Sequence, residues 1–287
     1  MKKRLTSEKV GHWFGNNLVL HDINFDIPAG QIVSLVGPSG CGKSTLFKGI
    51  TGTHLPATGK FYVYSKGVPR EVTSPNRDRG IVYQQYTLMR FLTAQQNVAL
   101  GLMFGETTML TRLNPVRWHR IRKKQMQQAA IALEKVGLGD HLSSYPINLS
   151  GGQRQRVAFA QALITKPKIL LLDEPFGALD EISREERQAN LIELHEENVA
   201  AKNKGEEPPY TMLLVTHELT EAIYVGERVI GLSRNWKWQE KHETCPGATI
   251  VYDETSPVFN RDSFEEQETF LKQREIIRHR VFGENKA

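Results

Sequence analysis

Hydrophobic and polar positions change period twice along the chain. Residues 18–20 (Leu-Val-Leu) and 23–27 (Ile-Asn-Phe-Asp-Ile) alternate as strands do; Pro-Ala-Gly then turns the chain into an uninterrupted apolar run, Ile32-Val33-Ser34-Leu35-Val36. The reading is strand, strand, turn, core strand. A glycine-rich turn follows, and residues 44–50 carry an apolar stripe at helical spacing that stops at Gly52. Residues 59–64 and 80–83 are rich in β-formers and bounded by Pro and Gly, which predicts a small sheet beside the core. From about Thr93 to Lys166 the period is helical, with helices ending at Gly137 and before Pro167. Residues 169–173 and 211–216 are short apolar runs, typical of parallel strands covered on both faces, and between them residues 181–199 form an amphipathic helix and 202–209 a polar loop. Strands alternating with helices predict an α/β core. After Ser233 the pattern weakens until a charged helix from about Asp262 to Phe282.

Composition narrows the class. The chain has 287 residues, 39% hydrophobic and 24% charged, enough to bury a sizeable core. No run of apolar residues is long enough to span a bilayer, and the basic start has no apolar stretch behind it, which argues against membrane spanning and secretion. A net charge of +5 does not demand nucleic acid, and none is expected as a partner. Two cysteines, Cys41 and Cys245, far apart, exclude a disulfide framework and favour a reducing compartment.

Three segments carry chemistry. Gly37-Pro38-Ser39-Gly40-Cys41-Gly42-Lys43-Ser44-Thr45 fits G-x-x-x-x-G-K-[ST] after a core strand and before a helix. Gly40 and Gly42 let the backbone curl so that its N–H groups and the helix's positive end face phosphate oxygens; Lys43 adds a cation and Ser44 a hydroxyl for Mg²⁺. The run 169–173 ends in Asp173-Glu174, where Asp173 is placed to hold Mg²⁺ and Glu174 to polarise a water attacking the γ-phosphate. Leu149-Ser150-Gly151-Gly152-Gln153 opens a helix with Ser150 in capping position and glycines that expose backbone N–H groups, a second anion-binding helix start.

Together these segments resemble the ATP-binding-cassette (ABC) family over roughly residues 10–233. The resemblance implies a P-loop NTPase core with a parallel sheet, an antiparallel β subdomain and a helical signature subdomain. It divides the chain into a nucleotide-binding domain at 1–233, with the helical subdomain at about 87–165, and a C-terminal extension at 234–287. It implies ATP and Mg²⁺ as ligands and two subunits packed head to tail, Ser150 and Gly152 reaching the γ-phosphate of the ATP on the partner's Lys43. The partner is a second copy or a paralogous ATPase subunit. Gln84 is implied to sense Mg²⁺ and water where a membrane permease docks, Asp180 to bridge the subunits, and His217 to contact the γ-phosphate. Phe14, just before Gly15, is the expected adenine platform, with Trp13 as competitor because only one of two neighbours on a strand faces inward.

Within the family the motifs look most like the nitrate/sulfonate/taurine/bicarbonate importers, which implies a permease, a periplasmic solute-binding protein acting through it, and a place on the cytoplasmic face of the bacterial inner membrane. The alternatives are an exporter or lipid-trafficking subunit, and a soluble cassette ATPase acting on ribosomes or DNA. The sequence departs from the family around 107–120, at 202–209, at Gln161 where arginine is common, and in the tail from Arg234. The basic segment 117–124 mixes cations with an aromatic, a pattern compatible with RNA or anionic lipid headgroups, and is read first as a solvated helical face. His242 and Cys245, spaced like two metal ligands, lack a second pair.

Overall fold

The computed structural model describes residues 2–84, 87–106, 114–175, 181–233, 247–256 and 264–283. His242, Cys245 and Asp180 lie outside them.

A mixed sheet of six strands, in the order β10-β9-β3-β8-β7-β6, carries the site. Its members are β3 (Ile32–Val36), β6 (Arg79–Val82), β7 (Ile169–Asp173), β8 (Thr211–Thr216), β9 (Arg228–Leu232) and β10 (Ile250–Thr255). All neighbouring pairs are parallel except β10, which runs antiparallel to β9 at the edge. Both faces are covered, so the strands are apolar throughout. Leu171, Leu213 and Val215 face one core with Leu46, Phe47 and Ile50 of α1 (Lys43–Thr51). Leu170, Leu172, Met212 and Leu214 face the other, against Leu191 and Leu194 of a long helix (Glu181–Asn203).

A second, antiparallel sheet, β2-β1-β4-β5, lies over the first core. It is made of β1 (Lys3–Phe14), β2 (Asn17–Pro28), β4 (Thr58–Ser65) and β5 (Val68–Glu71), and Leu5, Ile23 and Phe61 contribute to the shared core. The helical segment packs α2 (Ala94–Glu106), α3 (Pro115–Lys135) and α4 (Gly151–Leu163) around Val98, Leu133 and Val157. Behind it in sequence come α5, the Glu181–Asn203 helix already named, then α6 (Leu219–Val225) and α7 (Phe264–Ile277), which continues as a π turn through Arg278–Phe282.

Several elements differ from the sequence reading. Residues 17–28 are one strand, not two: His21 and Asp22, the latter at φ 47, form an irregularity where the register with β1 shifts between Val10–Ile23 and His12–Leu20, and the strand continues through it. Lys3–Phe14 is a full strand whose alternation is hidden by register shifts around the left-handed Lys9. Residues 79–82 join the main sheet beside β7 instead of the small one. Gly80 permits this, since a Cβ there would stand 2.7 Å from Pro167 Cγ. Beyond Ser233, β10 extends the six-stranded sheet, and Tyr252, Ile277 and Val281 pack on Val36, Ile223 and Val229. No helix among the described residues is long and apolar enough to cross a membrane.

Candidate active site at the carboxyl ends of the parallel strands

The phosphate loop joins β3 to α1. Gly40 and Gly42 take φ 76 and 99, and a Cβ on Gly42 would come within 2.8 Å of Leu20 Cδ2, so the loop's shape requires glycine there. Lys43 is folded back over the loop, its Nζ donating to the carbonyls of Gly37 (2.6 Å) and Pro38 (3.0 Å). Those two bonds hold a nearly buried ammonium at the loop. Ser44 is exposed at the first turn. Cys41 is 2% exposed, and burial pushes its thiol up against the opposing pull of Lys43, so its sulfur is shielded.

At the end of β7 the two acids have different surroundings. Burial, followed by the charge of Glu174, raises Asp173 above the ordinary carboxylate range, while Lys43 and Lys48 pull it back. The field of Lys43 thus reaches across from the phosphate loop to the strand that ends in Asp173. Glu174 sits in the left-handed region at φ 44, held there by its N–H bond to the Val215 carbonyl at 2.8 Å. A strained conformation fixed by a neighbouring strand aims its carboxylate. Gln84 Nε2 donates to Glu174 Oε2 at 2.9 Å, and His217 Nδ1 lies 3.1 Å from Oε1. His217 Nε2 is 3.6 Å from Glu218. Sheet order explains the convergence: Gln84 follows β6, Glu174 follows β7 and His217 follows β8, three adjacent parallel strands ending on one side.

Ser150 caps α4. Its hydroxyl accepts from the Gln153 N–H at 3.1 Å, and Gln153 Oε1 accepts from the Ser150 N–H at 2.8 Å, a full capping box. Gln153 also meets His141 at 3.0 Å. These bonds run inside the helical segment. Gly151 has open space around the position a Cβ would take. The sequence reading missed Gln155: buried on α4, it donates to the Pro175 carbonyl at 2.6 Å, tying this helix to the residue after Glu174. A buried glutamine on a helix's inner face was the available signal.

Phe14 and Trp13 are both exposed, at 53% and 40%, because β1 ends at them and the alternation expected to separate them no longer applies. Phe14 packs edge-on against His12 at 4.7 Å and tilted against His54 at 5.7 Å. His12 and His54 in turn bring their Nε2 atoms to 3.0 Å, an arrangement not foreseen from sequence. His12 shares its small pocket with Thr45 and Gly49, which places this aromatic group beside α1.

A glycine loop from core strand to helix, with paired acids at the end of β7, one strand beyond β3's neighbour β8 in the sheet, defines a P-loop nucleotide-binding protein. The family described as ABC transporter matches residues 20–177. The sulfate/thiosulfate import ATP-binding protein CysA of Thermosynechococcus vestitus is 35% identical over 99% of this chain and 74% of its own length. Its counterpart in Yersinia pseudotuberculosis is 41% identical over 78% of this chain and 56% of its own length. Among solved structures, a dimeric post-hydrolysis state of the ATP-binding cassette MJ0796 bound to ADP and Pi superposes with a TM-score of 0.64 at 27% identity, covering 89% of this chain and 99% of that one. The chain belongs to the ABC transporter family, whose ATP-binding subunits hydrolyse ATP with Mg²⁺ as the usual ion. It spans about half the length of the Yersinia relative it matches.

Proposed function

We propose that this chain is the ATP-hydrolysing subunit of an importer for a small anion, working as a head-to-tail pair around two ATP molecules and driving a separate permease from the cytoplasmic face of a bacterial inner membrane. The observation that carries the catalytic part is Glu174, its two carboxylate oxygens engaged by Gln84 and His217. A carboxylate so oriented is suited to polarise a water for in-line attack, with phosphoryl transfer otherwise dependent on positioning and charge. Lys43 exchanges its carbonyl partners for β- and γ-phosphate oxygens; the N–H groups of residues 39–45 complete the cradle. Phe14 stacks on adenine. Ser44, Asp173 and Gln84 supply hard oxygen donors that fit Mg²⁺, which needs few protein ligands beside nucleotide phosphates. The ion, when bound, neutralises charge on the phosphates.

Ser150 and Gly152 contact the γ-phosphate of the nucleotide held by the other subunit, Gly151 and Gln153 belong to the same nucleotide site, and Asp180 lies between subunits. In support, the capping box makes its bonds within its own segment and leaves the helix start presented outward, Ser150 itself being exposed. Gln155 then relays the position of α4 to the Glu174 loop through Pro175. The permease docks near Gln84, and a periplasmic solute-binding protein supplies it. The relatives named above import sulfate and thiosulfate, which supports an anionic solute; a nitrate, sulfonate, taurine or bicarbonate substrate is the finer form of the same proposal.

Isolation of the tagged chain from its native membranes in mild detergent, followed by mass spectrometry, tests the transport reading. A multi-span permease in equal amount is expected. Ribosomal or DNA-repair partners without a permease would overturn the importer and leave the ATP site standing.

A further inference from the structure

Below the nucleotide end of β8 a cavity of about 180 Å³ is lined by His217, Glu218, Leu219, Thr220, Arg274, Arg278 and Phe282. It brings the last helix of the chain to the histidine that faces Glu174. Arg274 and Arg278 are four residues apart on α7 and its π turn, hence on one face, where like charges repel unless an anion stands between them. Arg278 has Glu275 at 3.5 Å on the surface, whereas no ion pair joins Arg274 to a described residue. Arg274 Nε is shut off from solvent without a hydrogen-bond partner. That nitrogen is closed to the cavity as well, so an anion there meets the terminal guanidinium nitrogens of Arg274, which make no hydrogen bond to a described residue. The fixed charge of the lining is two guanidiniums against one carboxylate, Glu218, which already has His217 at 3.6 Å.

The size, the two arginines on one face and the missing ion-pair partner of Arg274 among the described residues point to a ligand: we propose that this cavity binds a tetrahedral oxyanion of the sulfate or phosphate kind and that its occupation slows ATP turnover. Guanidinium forks match two oxygens of such an ion at once. The cavity wall is residues 217–220, so an anion drawn onto Arg274 and Arg278 bears on the segment that sets His217 against Glu174. Regulation rests on the function proposed above; binding does not.

Two measurements on the full chain separate these parts. Crystals grown without nucleotide and soaked in selenate are expected to show an anomalous peak between Arg274 and Arg278, besides any at the phosphate loop, and R274Q/R278Q is expected to lose only the former. A peak confined to the phosphate loop overturns the site, whether or not the chain hydrolyses ATP. In steady-state assays at constant ionic strength, sulfate is expected to lower kcat about fivefold or more with KM unchanged, and R274Q/R278Q to keep its basal rate and ignore the ion. Inhibition that only raises KM and persists in the double variant belongs to the phosphate loop and overturns the regulatory role. Inorganic phosphate, titrated in parallel, identifies the source: stronger kcat inhibition by sulfate supports an imported solute, by phosphate the product of hydrolysis, and insensitivity to both overturns regulation.

Discussion

His217 and Glu174 stand 3.1 Å apart, imidazole Nδ1 to carboxylate Oε1, although 43 residues separate them in the chain. β7 and β8 are neighbours in the parallel sheet, and the Glu174 N–H bonds to the Val215 carbonyl at 2.8 Å, so backbone pairing holds both residues on the same edge. The contact is therefore a product of sheet order. With Gln84 on the other carboxylate oxygen, at 2.9 Å, it places the proposed base between two polar arms whose strands flank its own.

Lys43 is the group whose loss costs nucleotide most. Its two carbonyl contacts show an ammonium held at the loop, and a charge-assisted bond contributes about 1.5–3 kcal/mol. Lys43→Ala is expected to weaken ATP binding about ten- to hundredfold and to lower kcat as well. Equilibrium binding of a fluorescent ATP analogue with steady-state turnover checks both; unchanged affinity contradicts the loop's role.

Ser150 separates a structural from a catalytic effect. Ser150→Ala removes half of the capping box, which costs about 1 kcal/mol of stability. If the hydroxyl and the helix start serve the partner's ATP, as proposed, turnover should fall much further than that loss explains. Thermal melting and ATPase rate on the same preparation test this, and a rate loss no larger than the stability loss predicts contradicts it.

The phosphate loop and the α4 cap were legible in sequence because each is local: strand, glycines, lysine and helix, or serine three residues before glutamine. That β7 and β8 are strands covered on both faces was legible for the same reason. What pairs with what was not. The engagement of Glu174 by Gln84 joins residues 90 apart, and the place of β6 depends on Pro167 packing over Gly80. β9 and β10 are as long as β7 and β8, but Gly231 interrupts the apolar run of the first and Asp253-Glu254 that of the second, and the His12, His54 and Phe14 group forms only when a loop after α1 folds onto the end of β1.

The tail provides another test. Tyr252, Ile277 and Val281 cover Ala222, Ile223 and Val229. At roughly 1.5–3 kcal/mol for each large apolar side chain, removing them forfeits about 4 kcal/mol or more, a large part of a domain's stability. A chain ending at Ser233 should therefore melt well below the full chain or fail to fold in soluble form. Equal melting temperatures contradict this packing.

Burial, then the neighbouring His54, hold His12 below the ordinary imidazole value of 6.5. The folded protein binds fewer protons here than the unfolded chain, so this contribution is complete above 6.5 and is lost as pH falls below it towards the depressed value. Melting temperature should drop on acidification from neutral pH. His54→Gln removes the neighbouring charge and should flatten part of that drop; an identical pH profile in the variant contradicts the coupling.

Glu174→Gln keeps the size of the side chain and removes the carboxylate, and it tests the central claim most directly. ATP hydrolysis and ATP-dependent association are measured together, the first by phosphate release and the second by light scattering on a sizing column. The variant should bind ATP, accumulate as a dimer and turn over about 100-fold or more slowly than the natural chain, the scale expected for losing a positioned base. A variant that hydrolyses ATP at the natural rate would contradict Glu174 as the residue that activates water.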